Sequence, residues 1–490
     1  MRLEDLLIRQ GNRSQAAVIC GERELSYRQW AEQAKELAAR VEALNGDTSL
    51  VGLFLPGCLY FPVAYFAILM AGRGVVPLEN KATAEELRAT ADYTRLSLIL
   101  TDSGYLTQLA EALEGAGFRI TALCVDTGET VCLNASCPVL PAGEPERDGS
   151  PDDVALVLHT SGTTSRPKRV MLTHRALLSQ LPALKELLGE GEESRTLVAF
   201  PVFLVAANLQ LLTQVYLGGA VVYQEGYFMP RKAVRLIERH RLTHLSCAAF
   251  MVRGLLASGA APEQLASLRA VYMGGGPAPD SLFEQWAAAY PAVPLIHSYG
   301  LTETCSRIVC LFPQHRPEKN GGVGWPLPGV ELRVADEAGV PCPPDTEGEL
   351  LIRGPFLMKG YLRNPEATRQ ALQDGWLHTG DIAVIDADGC VYLRGRKKNV
   401  LISAGMNIYP EAVEEVLLRF PGVREALVTG RDDPVYDQVV CARIVAAEDL
   451  SLPELREHCR RYLKSYQQPR FFERVDELPK TPSGKPLRGR

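Results

Sequence analysis

Residues 154–158 form an unbroken apolar run, Val-Ala-Leu-Val-Leu. The chain then enters a loop crowded with small and hydroxylated residues, Thr160, Ser161, Gly162, Thr163, Thr164 and Ser165, with one lysine, Lys168, just beyond. An apolar run of this length bounded by turn residues reads as a buried strand. A strand that empties into such a loop makes a phosphate cradle, because backbone N–H groups, hydroxyls and one ammonium converge on phosphate oxygens. The spacing is not that of a Walker A loop, which needs Gly directly before the lysine and Ser or Thr directly after it. Here Pro167 and Arg169 hold those places. From Ser49 to about residue 320, helical and strand patterns alternate, which argues for an α/β body with parallel sheets.

A chain of 490 residues exceeds one ordinary core, so two or more domains are expected. Helical periodicity runs over residues 24–44, with Leu25, Trp30, Ala34, Leu37 and Val41 near one face. Ser49–Leu55 reads as a short buried strand. Phe61–Leu78 reads as a buried helix and strand rather than a membrane span, because Gly72, Arg73 and Gly74 interrupt it. After Gly324, short strands at Glu331–Val334, Gly348–Arg353 and Cys390–Arg394 suggest a small β-rich subdomain. Gly395-Arg-Lys-Lys-Asn399 reads as a charged, exposed connection, and an α+β tail follows it. The expected division is therefore a large N-terminal domain, residues 1–395, and a small mobile C-terminal domain, residues 396–490, hinged at 396–399.

Charge and cysteine usage exclude several function classes. The formal net charge of −6 leaves no nucleic-acid footprint. Twelve cysteines are scattered without a C-x-x-C pair, so neither a zinc site nor a redox motif is indicated, and a reducing compartment is expected. Met1-Arg-Leu-Glu-Asp-Leu-Leu carries acids where a signal peptide would have its apolar core, which points to the cytoplasm.

Five further segments join the phosphate loop. Tyr299-Gly-Leu-Thr-Glu-Thr304 follows a predicted strand, Leu295–Ser298, and Trp376-Leu-His-Thr-Gly-Asp381 sets one carboxylate after a turn. Gly395-Arg-Lys-Lys-Asn-Val-Leu-Ile402 contains the hinge. Ser403-Ala-Gly-Met-Asn-Ile-Tyr-Pro410 leads into a helix at Glu411, and Pro479-Lys-Thr-Pro-Ser-Gly-Lys485 lies near the C-terminus. In this order and over nearly the whole chain, the six segments resemble the adenylate-forming superfamily: acyl- and aryl-CoA ligases, adenylation domains of nonribosomal peptide synthetases, and firefly luciferase. Leu268–Pro279 and Tyr299–Cys310 are similar in particular to the o-succinylbenzoate–CoA ligases of menaquinone synthesis.

The resemblance implies an ATP-dependent carboxylate–thiol ligase. A carboxylate attacks the α-phosphate of ATP and pyrophosphate leaves, so catalysis is mostly positioning and electrostatics. By the resemblance, Thr160–Lys168 holds the β- and γ-phosphates, Thr302 touches the α-phosphate, and Glu303 binds Mg²⁺, a hard cation that favours carboxylate oxygen. Gly274, Gly275, Gly276 and Pro277, with Ser298, Tyr299, Gly300 and Leu301, wall the adenine, and Asp381 accepts hydrogen bonds from the ribose. Arg396 contacts ribose or phosphate, or is merely solvated. Lys485 reaches the reacting carboxylate and the α-phosphate. Lys398 occupies the family's hinge position. After the C-terminal domain rotates, Ser403, Ala404, Gly405 and Asn407 line the tunnel for a thiol. That thiol belongs to coenzyme A or to a phosphopantetheinyl acyl carrier protein, and the chain is expected to act as a stand-alone ligase.

The chain also departs from the family's pattern. Ser165 and Arg169 replace two glycines of the phosphate loop, Asn399 stands where an acidic residue is common, and Leu204 stands where many CoA ligases have histidine. No aspartate lies between Pro201 and Gly226, which disfavours an α-amino acid substrate. Leu204, Val205, Asn208, Leu209, Cys305, Arg307 and Ile308 are candidate walls of the acyl pocket, for an aryl or medium-sized organic acid, or else ordinary core. Arg307, where the succinylbenzoate ligases usually have glutamine, pairs with a second carboxylate or polar group of the acid or is a salt-bridged surface arginine. The remoter readings are an oxidative enzyme of luciferase type and a non-catalytic nucleotide-binding protein. Replacing Lys485 by alanine is expected to abolish hydroxamate formation from ATP and acid; adenylation at the parental rate in that variant would remove Lys485 from the mechanism.

Overall fold

A computed structural model of the chain describes residues 1–45, 49–138, 147–159, 168–189, 191–224, 226, 228–276, 278–403, 406–433, 437–480 and 486–488. Among the described residues the strands gather into four sheets. In the eight-stranded sheet, Val154–His159, Gly74–Pro77, Leu50–Leu53, Leu98–Thr101 and Ile120–Cys124 run parallel in that spatial order. Antiparallel Arg169–Thr173 and Thr130–Leu133 flank them, and Gly360–Tyr361 pairs with the outer side of Arg169–Thr173. In the nine-stranded sheet, Leu295–Leu301, Ala270–Met273, His244–Cys247, Arg195–Val198, Ala220–Tyr223 and Ala16–Cys20 are parallel. Ser306–Leu311 turns back antiparallel against Leu295–Leu301.

Between these sheets lies the helix Tyr60–Met70, buried continuously from Phe61 to Leu69. A helix that is apolar all round has no face to offer water and belongs inside a core. It packs against the strands Leu50–Leu53 and Gly74–Pro77, and its Phe61 ring meets Tyr223 of the other sheet with 6.4 Å between centroids. Four-residue central strands such as Leu50–Leu53 are apolar throughout because both of their faces are covered.

The helical periodicity begins later than expected. Arg23–Ser26 is a strand, Leu25 pairs with Val18 across a turn at Gly21 (φ 63°), and the helix starts at Tyr27. A left-handed glycine closing a tight turn favours the hairpin locally, and pairing overrides the helical pattern. Trp30, Ala34, Leu37 and Val41 are all buried on the helix.

The β-rich subdomain is a five-stranded antiparallel sheet of Glu331–Ala335, Gly348–Arg353, Leu372–Gln373, Trp376–Ile385 and Val391–Arg396. Gly395 and Arg396 belong to its last strand, so the expected exposed connection shrinks to the short turn Lys397–Asn399. Beyond that turn a small C-terminal domain builds its own sheet from Leu401–Ser403, Met406–Ile408, Val423–Asp433, Asp437–Ala446 and Phe471–Arg474. Helices Pro410–Leu418 and Leu452–Tyr462 share one apolar cluster with it, including Ile408, Val413, Val440 and Leu455. Among the described residues no helix is long and apolar enough to cross a membrane.

His174 and His297 are buried inside the N-terminal domain. Burial pulls their imidazoles down to about 3 and about 4, with Arg2 and Arg316 respectively adding repulsion. Both are therefore neutral in the folded chain, whereas the unfolded chain takes up their protons near pH 6.5. Their contribution is fully present above pH 6.5 and is lost as pH falls toward their folded values. The melting temperature is expected to drop steadily between pH 6.5 and 4, and a His174→Gln variant to show a shallower slope over that interval.

Candidate active site

Gly274, just after Ala270–Met273, and Leu301, at the end of Leu295–Leu301, lie at the carboxyl ends of neighbouring parallel strands, where ligand sites of open α/β sheets lie. There a cavity of about 1240 Å³ opens between the N-terminal domain and the C-terminal domain. Its walls include Lys168, Gly274, Gly275, Gly276, Ser298, Tyr299, Gly300, Leu301, Thr302, Glu303, Asp381, Arg396 and Lys398. Thr160, Ser161, Gly162, Thr163, Thr164, Pro277, Ala404, Gly405 and Lys485 lie outside the described residues.

Glu303 sits on a single tight turn, Thr302–Thr304. Buried Thr304 pins that turn: its hydroxyl accepts from the Leu301 N–H (2.9 Å), and its carbonyl accepts from Gln180 Nε2 (2.5 Å). The Glu303 carbonyl accepts from the Met358 N–H, and the Tyr361 hydroxyl donates to Glu303 Oε1 at 2.9 Å. The same Tyr361 ring lies 4.6 Å from the Lys168 ammonium. Tyr361 thus links the lysine that follows the phosphate loop to the acid on the facing turn. Nothing in the sequence reading singled it out, and its only local signal is the glycine before it, whose added Cβ would strike Thr368 at 2.7 Å.

Asp381 is buried and has a partner on each oxygen. Tyr299 Oη donates to its Oδ2 at 2.6 Å, and Arg396 Nε pairs with its Oδ1 at 2.7 Å. Burial, then the Asp381 charge, pushes the Tyr299 hydroxyl far above its usual range. Burial pulls the Arg396 guanidinium down, but Asp381, Tyr299 and Glu303 more than offset it. Arg396 is thus held in place by Asp381 while its side chain, 37% exposed, still lines the cavity. Lys398 is lowered, first by desolvation and then by repulsion from Arg396 and Lys168. Three cations lining one cavity are a standing attraction for a polyanion.

The turn after Glu303 is unusual. Cys305 and Ser306 both have positive φ, 55° and 93°, and neither is glycine. Backbone held in this region costs of order 1–3 kcal/mol per residue and persists where the surroundings enforce it. Here it reverses the chain so closely that a Cβ on Gly300 would lie 1.7 Å from the Ser306 carbonyl oxygen. Gly274 also allows close strand packing, since an added Cβ would meet Ser298 Oγ at 2.7 Å. Gly275, at φ 85°, faces open space.

Among the described residues no group of three or more His, Cys, Asp or Glu could hold a metal ion. One carboxylate, Glu303, fits a magnesium ion that takes its remaining ligands from phosphates and water, as that ion usually does.

On the acid side Leu204, Val205, Leu209 and Arg307 line the cavity. Asn208, Cys305 and Ile308 do not line it, and of the two expected places, pocket wall or ordinary core, the structure gives them the core. Cys305 and Ile308 are fully buried in the main apolar cluster. Asn208 is 1% exposed and donates to the carbonyls of Val202 and Leu204, each at 2.8 Å, where it braces the start of the helix Val205–Leu217. Their places are taken by polar residues that the sequence reading passed over: Gln210 on that helix, Ser246 on His244–Cys247 and Tyr272 on Ala270–Met273. Ser403 and Asn407 stand away from the cavity, on paired strands of the C-terminal domain.

A Tyr361→Phe variant keeps the ring beneath Lys168 and removes the bond to Glu303. It is expected to lose about tenfold in kcat/KM for ATP, the equivalent of about 1.4 kcal/mol, and to need more magnesium for half-maximal pyrophosphate release.

The AMP-binding enzyme family matches residues 9–362, and its C-terminal domain family matches residues 412–485. A 2-succinylbenzoate–CoA ligase of Bacillus licheniformis is 35% identical over 475 residues, covering 96% of this chain and 95% of the relative. A feruloyl-CoA synthase of an Amycolatopsis species is 32% identical over 479 residues, covering 96% and 94%. Among solved structures, o-succinylbenzoate CoA synthetase from Bacillus subtilis with its acyl-adenylate intermediate superposes with a TM-score of 0.86 at 30% identity, covering 99% of this chain and 96% of the other. The same synthetase is also known with ATP and a magnesium ion. With both its domains matched and a cavity built for a nucleotide and an acid, the chain belongs to the AMP-binding enzyme family and is an ATP-dependent, AMP-forming acid–thiol ligase.

Proposed function

We propose that the chain activates an aryl acid bearing a second carboxylate, of the 2-succinylbenzoate type, and transfers the acyl group to coenzyme A. The observation that carries the choice of acid is Arg307. Its Nη2 donates to Ser246 Oγ at 3.0 Å, and its guanidinium lies 4.1 Å from the centre of the Tyr272 ring. Its Nε is buried without a hydrogen-bond partner, and among the described residues no carboxylate pairs with it. A cation stacked on an aromatic face with a donor to spare is suited to an anion arriving with the ligand. The succinylbenzoate ligases among the relatives support the same acid class.

In the first half-reaction one carboxylate oxygen of the acid bonds to the α-phosphorus of ATP, and pyrophosphate leaves. Lys168, Arg396 and Lys398 stabilise phosphate charge, Asp381 and Tyr299 orient the ribose, and Thr302 and Lys485 serve the α-phosphate. A magnesium ion held by Glu303 would neutralise charge on the departing phosphates. In the second half-reaction the thiol of coenzyme A attacks the acyl carbon and AMP leaves. We place the domain boundary at residues 395 and 396 and the hinge at Lys398. The short turn Lys397–Asn399 and the separate apolar core beyond it support a rotation there. That rotation would bring in the strand pair of Ser403 and Asn407, on which Ile402 and Met406 stand exposed. A cytoplasmic location agrees with twelve free cysteines.

The test is a hydroxylamine-trapping and pyrophosphate-release panel. 2-Succinylbenzoate is expected to give hydroxamate, and benzoate to give little. Arg307→Met should raise KM for the dicarboxylic acid roughly 10- to 100-fold while leaving KM for ATP unchanged, the loss of one charge-assisted contact. Equal turnover of acids with and without the second carboxylate would defeat the assignment. Loading of a phosphopantetheinyl carrier protein in preference to coenzyme A would overturn the choice of acceptor.

A further inference from the structure

The inter-domain turn, Lys397–Asn399, is three residues long, and carboxylates of different domains hold its two ends. At the first end Lys397 Nζ lies 3.3 Å from Glu349 Oε2, on the strand Gly348–Arg353 of the β-rich subdomain. At the last end Asn399 Nδ2 donates to Glu411 Oε1 at 3.1 Å, on the helix Pro410–Leu418 of the C-terminal domain. Between them Lys398 is the one residue of the turn whose side chain has no such anchor among the described residues.

Glu349 does more than hold the inter-domain turn. Its Oε1 accepts from the Gly380 N–H at 3.0 Å, and His378 Nδ1 stands 3.5 Å from its Oε2. Gly380 directly precedes Asp381, and the next residue of the same strand secures this segment again. Thr379 Oγ1 donates to the Leu350 carbonyl at 2.7 Å and accepts from the Asp381 N–H at 3.0 Å. The Glu349 side chain is 13% exposed. Burial alone would raise its carboxyl, but the Gly380 N–H, Lys397 and His378 more than offset it and hold it below the usual carboxylate range. A carboxylate so enclosed keeps its partners, because losing one leaves buried charge uncompensated. One side chain therefore joins the segment that presents Asp381 to the first residue of the inter-domain turn.

We propose that Glu349 is a positioning residue that binds the Asp381 segment and Lys397 into one unit, so that rotation of the C-terminal domain is confined to Lys398. The inference rests on the reading of Lys398 as the hinge. With both ends of the turn fixed, the domain swings about one residue and arrives in one orientation. Released from Glu349, Lys397 adds its own backbone freedom, and reordering one residue's backbone lowers the productive fraction severalfold. The loss falls unevenly on the two half-reactions. In the described orientation Ser403 and Asn407 stand away from the cavity, and the domains have other ties. Tyr409 Oη donates to Glu347 Oε1, and Gly395 leaves room for Glu411, whose Oε2 would lie 2.6 Å from an added Cβ. Rotation carries Tyr409 away from Glu347, so the orientation that receives the thiol depends more heavily on the turn.

Four variants separate an anchor from a residue that merely supports the fold. Adenylation is followed by pyrophosphate exchange into ATP. Thioester formation is followed by supplying coenzyme A with the purified acyl-adenylate of the acid that gives the strongest hydroxamate signal. Glu349→Gln keeps an oxygen for the Gly380 N–H and loses the charge facing Lys397. It is expected to hold KM for ATP within twofold and to slow thioester formation about fivefold. Lys397→Met, at an exposed position that carries the test if the glutamine variant does not fold, should show the same split, and the double variant should be no slower than either single one. Glu349→Ala also releases Gly380 and should in addition raise KM for ATP about tenfold. An unchanged KM there would overturn the link to the Asp381 segment. Equal loss in both half-reactions, parental thioester formation in the single variants, or losses that add in the double variant would overturn the anchor. Lys398→Pro is run beside them, because proline fixes φ at the pivot. Parental thioester formation in that variant would overturn the hinge reading itself, whereas its loss there together with fully active Glu349→Gln and Lys397→Met would overturn the anchor alone.

Discussion

The site is organised by one buried charge. Asp381 lies on the central strand of the β-rich subdomain, Tyr299 on the nine-stranded sheet, and Arg396 on the strand that leads into the inter-domain turn. The carboxylate binds both at hydrogen-bond distance. A carboxylate buried to this degree is unfavourable unless a cation and further donors satisfy it, and removing either partner leaves it exposed to the full desolvation cost. The β-rich subdomain, which carries both Asp381 and Arg396 on paired strands, is therefore tied to the nine-stranded sheet at this point, and the wall of the cavity between them is fixed there.

From there the cavity divides by chemistry. On one side Lys168, Arg396 and Lys398 line the same wall, and Lys398 is desolvated and repelled by the other two, which a polyphosphate would relieve. On the other, apolar Leu204, Val205 and Leu209 face a polar strip of Gln210, Ser246, Tyr272 and Arg307. The first arrangement suits a ligand common to every member of the family, the second a ligand particular to this chain.

What the sequence disclosed followed from strong local signals. The run Phe61–Leu69 could only be a buried helix, and strands such as Leu50–Leu53 announced covered sheets. The phosphate-loop strand and the turn at Thr302 stood out because small, hydroxylated and acidic residues are out of place in a core. What stayed hidden depended on partners far away in the chain. Leu25 has a helical neighbour pattern, yet pairs with Val18. Arg396 looks like one more exposed cation until Asp381 is placed beside it. Asn208 reads as a polar wall, but its amide is consumed by the backbone of Val202 and Leu204. Tyr361 gains its role only because Gly360–Tyr361 pairs with the strand that begins at Arg169, next to Lys168.

The two left-handed residues Cys305 and Ser306 stand between Glu303 and Arg307, which both line the cavity. A reversal this abrupt acts as a mechanical joint. Glu303 is pinned by Thr304 and Tyr361 on its side, and Arg307 rests on Tyr272 and Ser246 on the other. Thr304 spans that joint, since its hydroxyl also donates to the Ser306 carbonyl at 3.0 Å. A change at position 307 that shifts the backbone before it is therefore transmitted to the turn that carries Glu303, so the two walls of the cavity cannot drift apart independently.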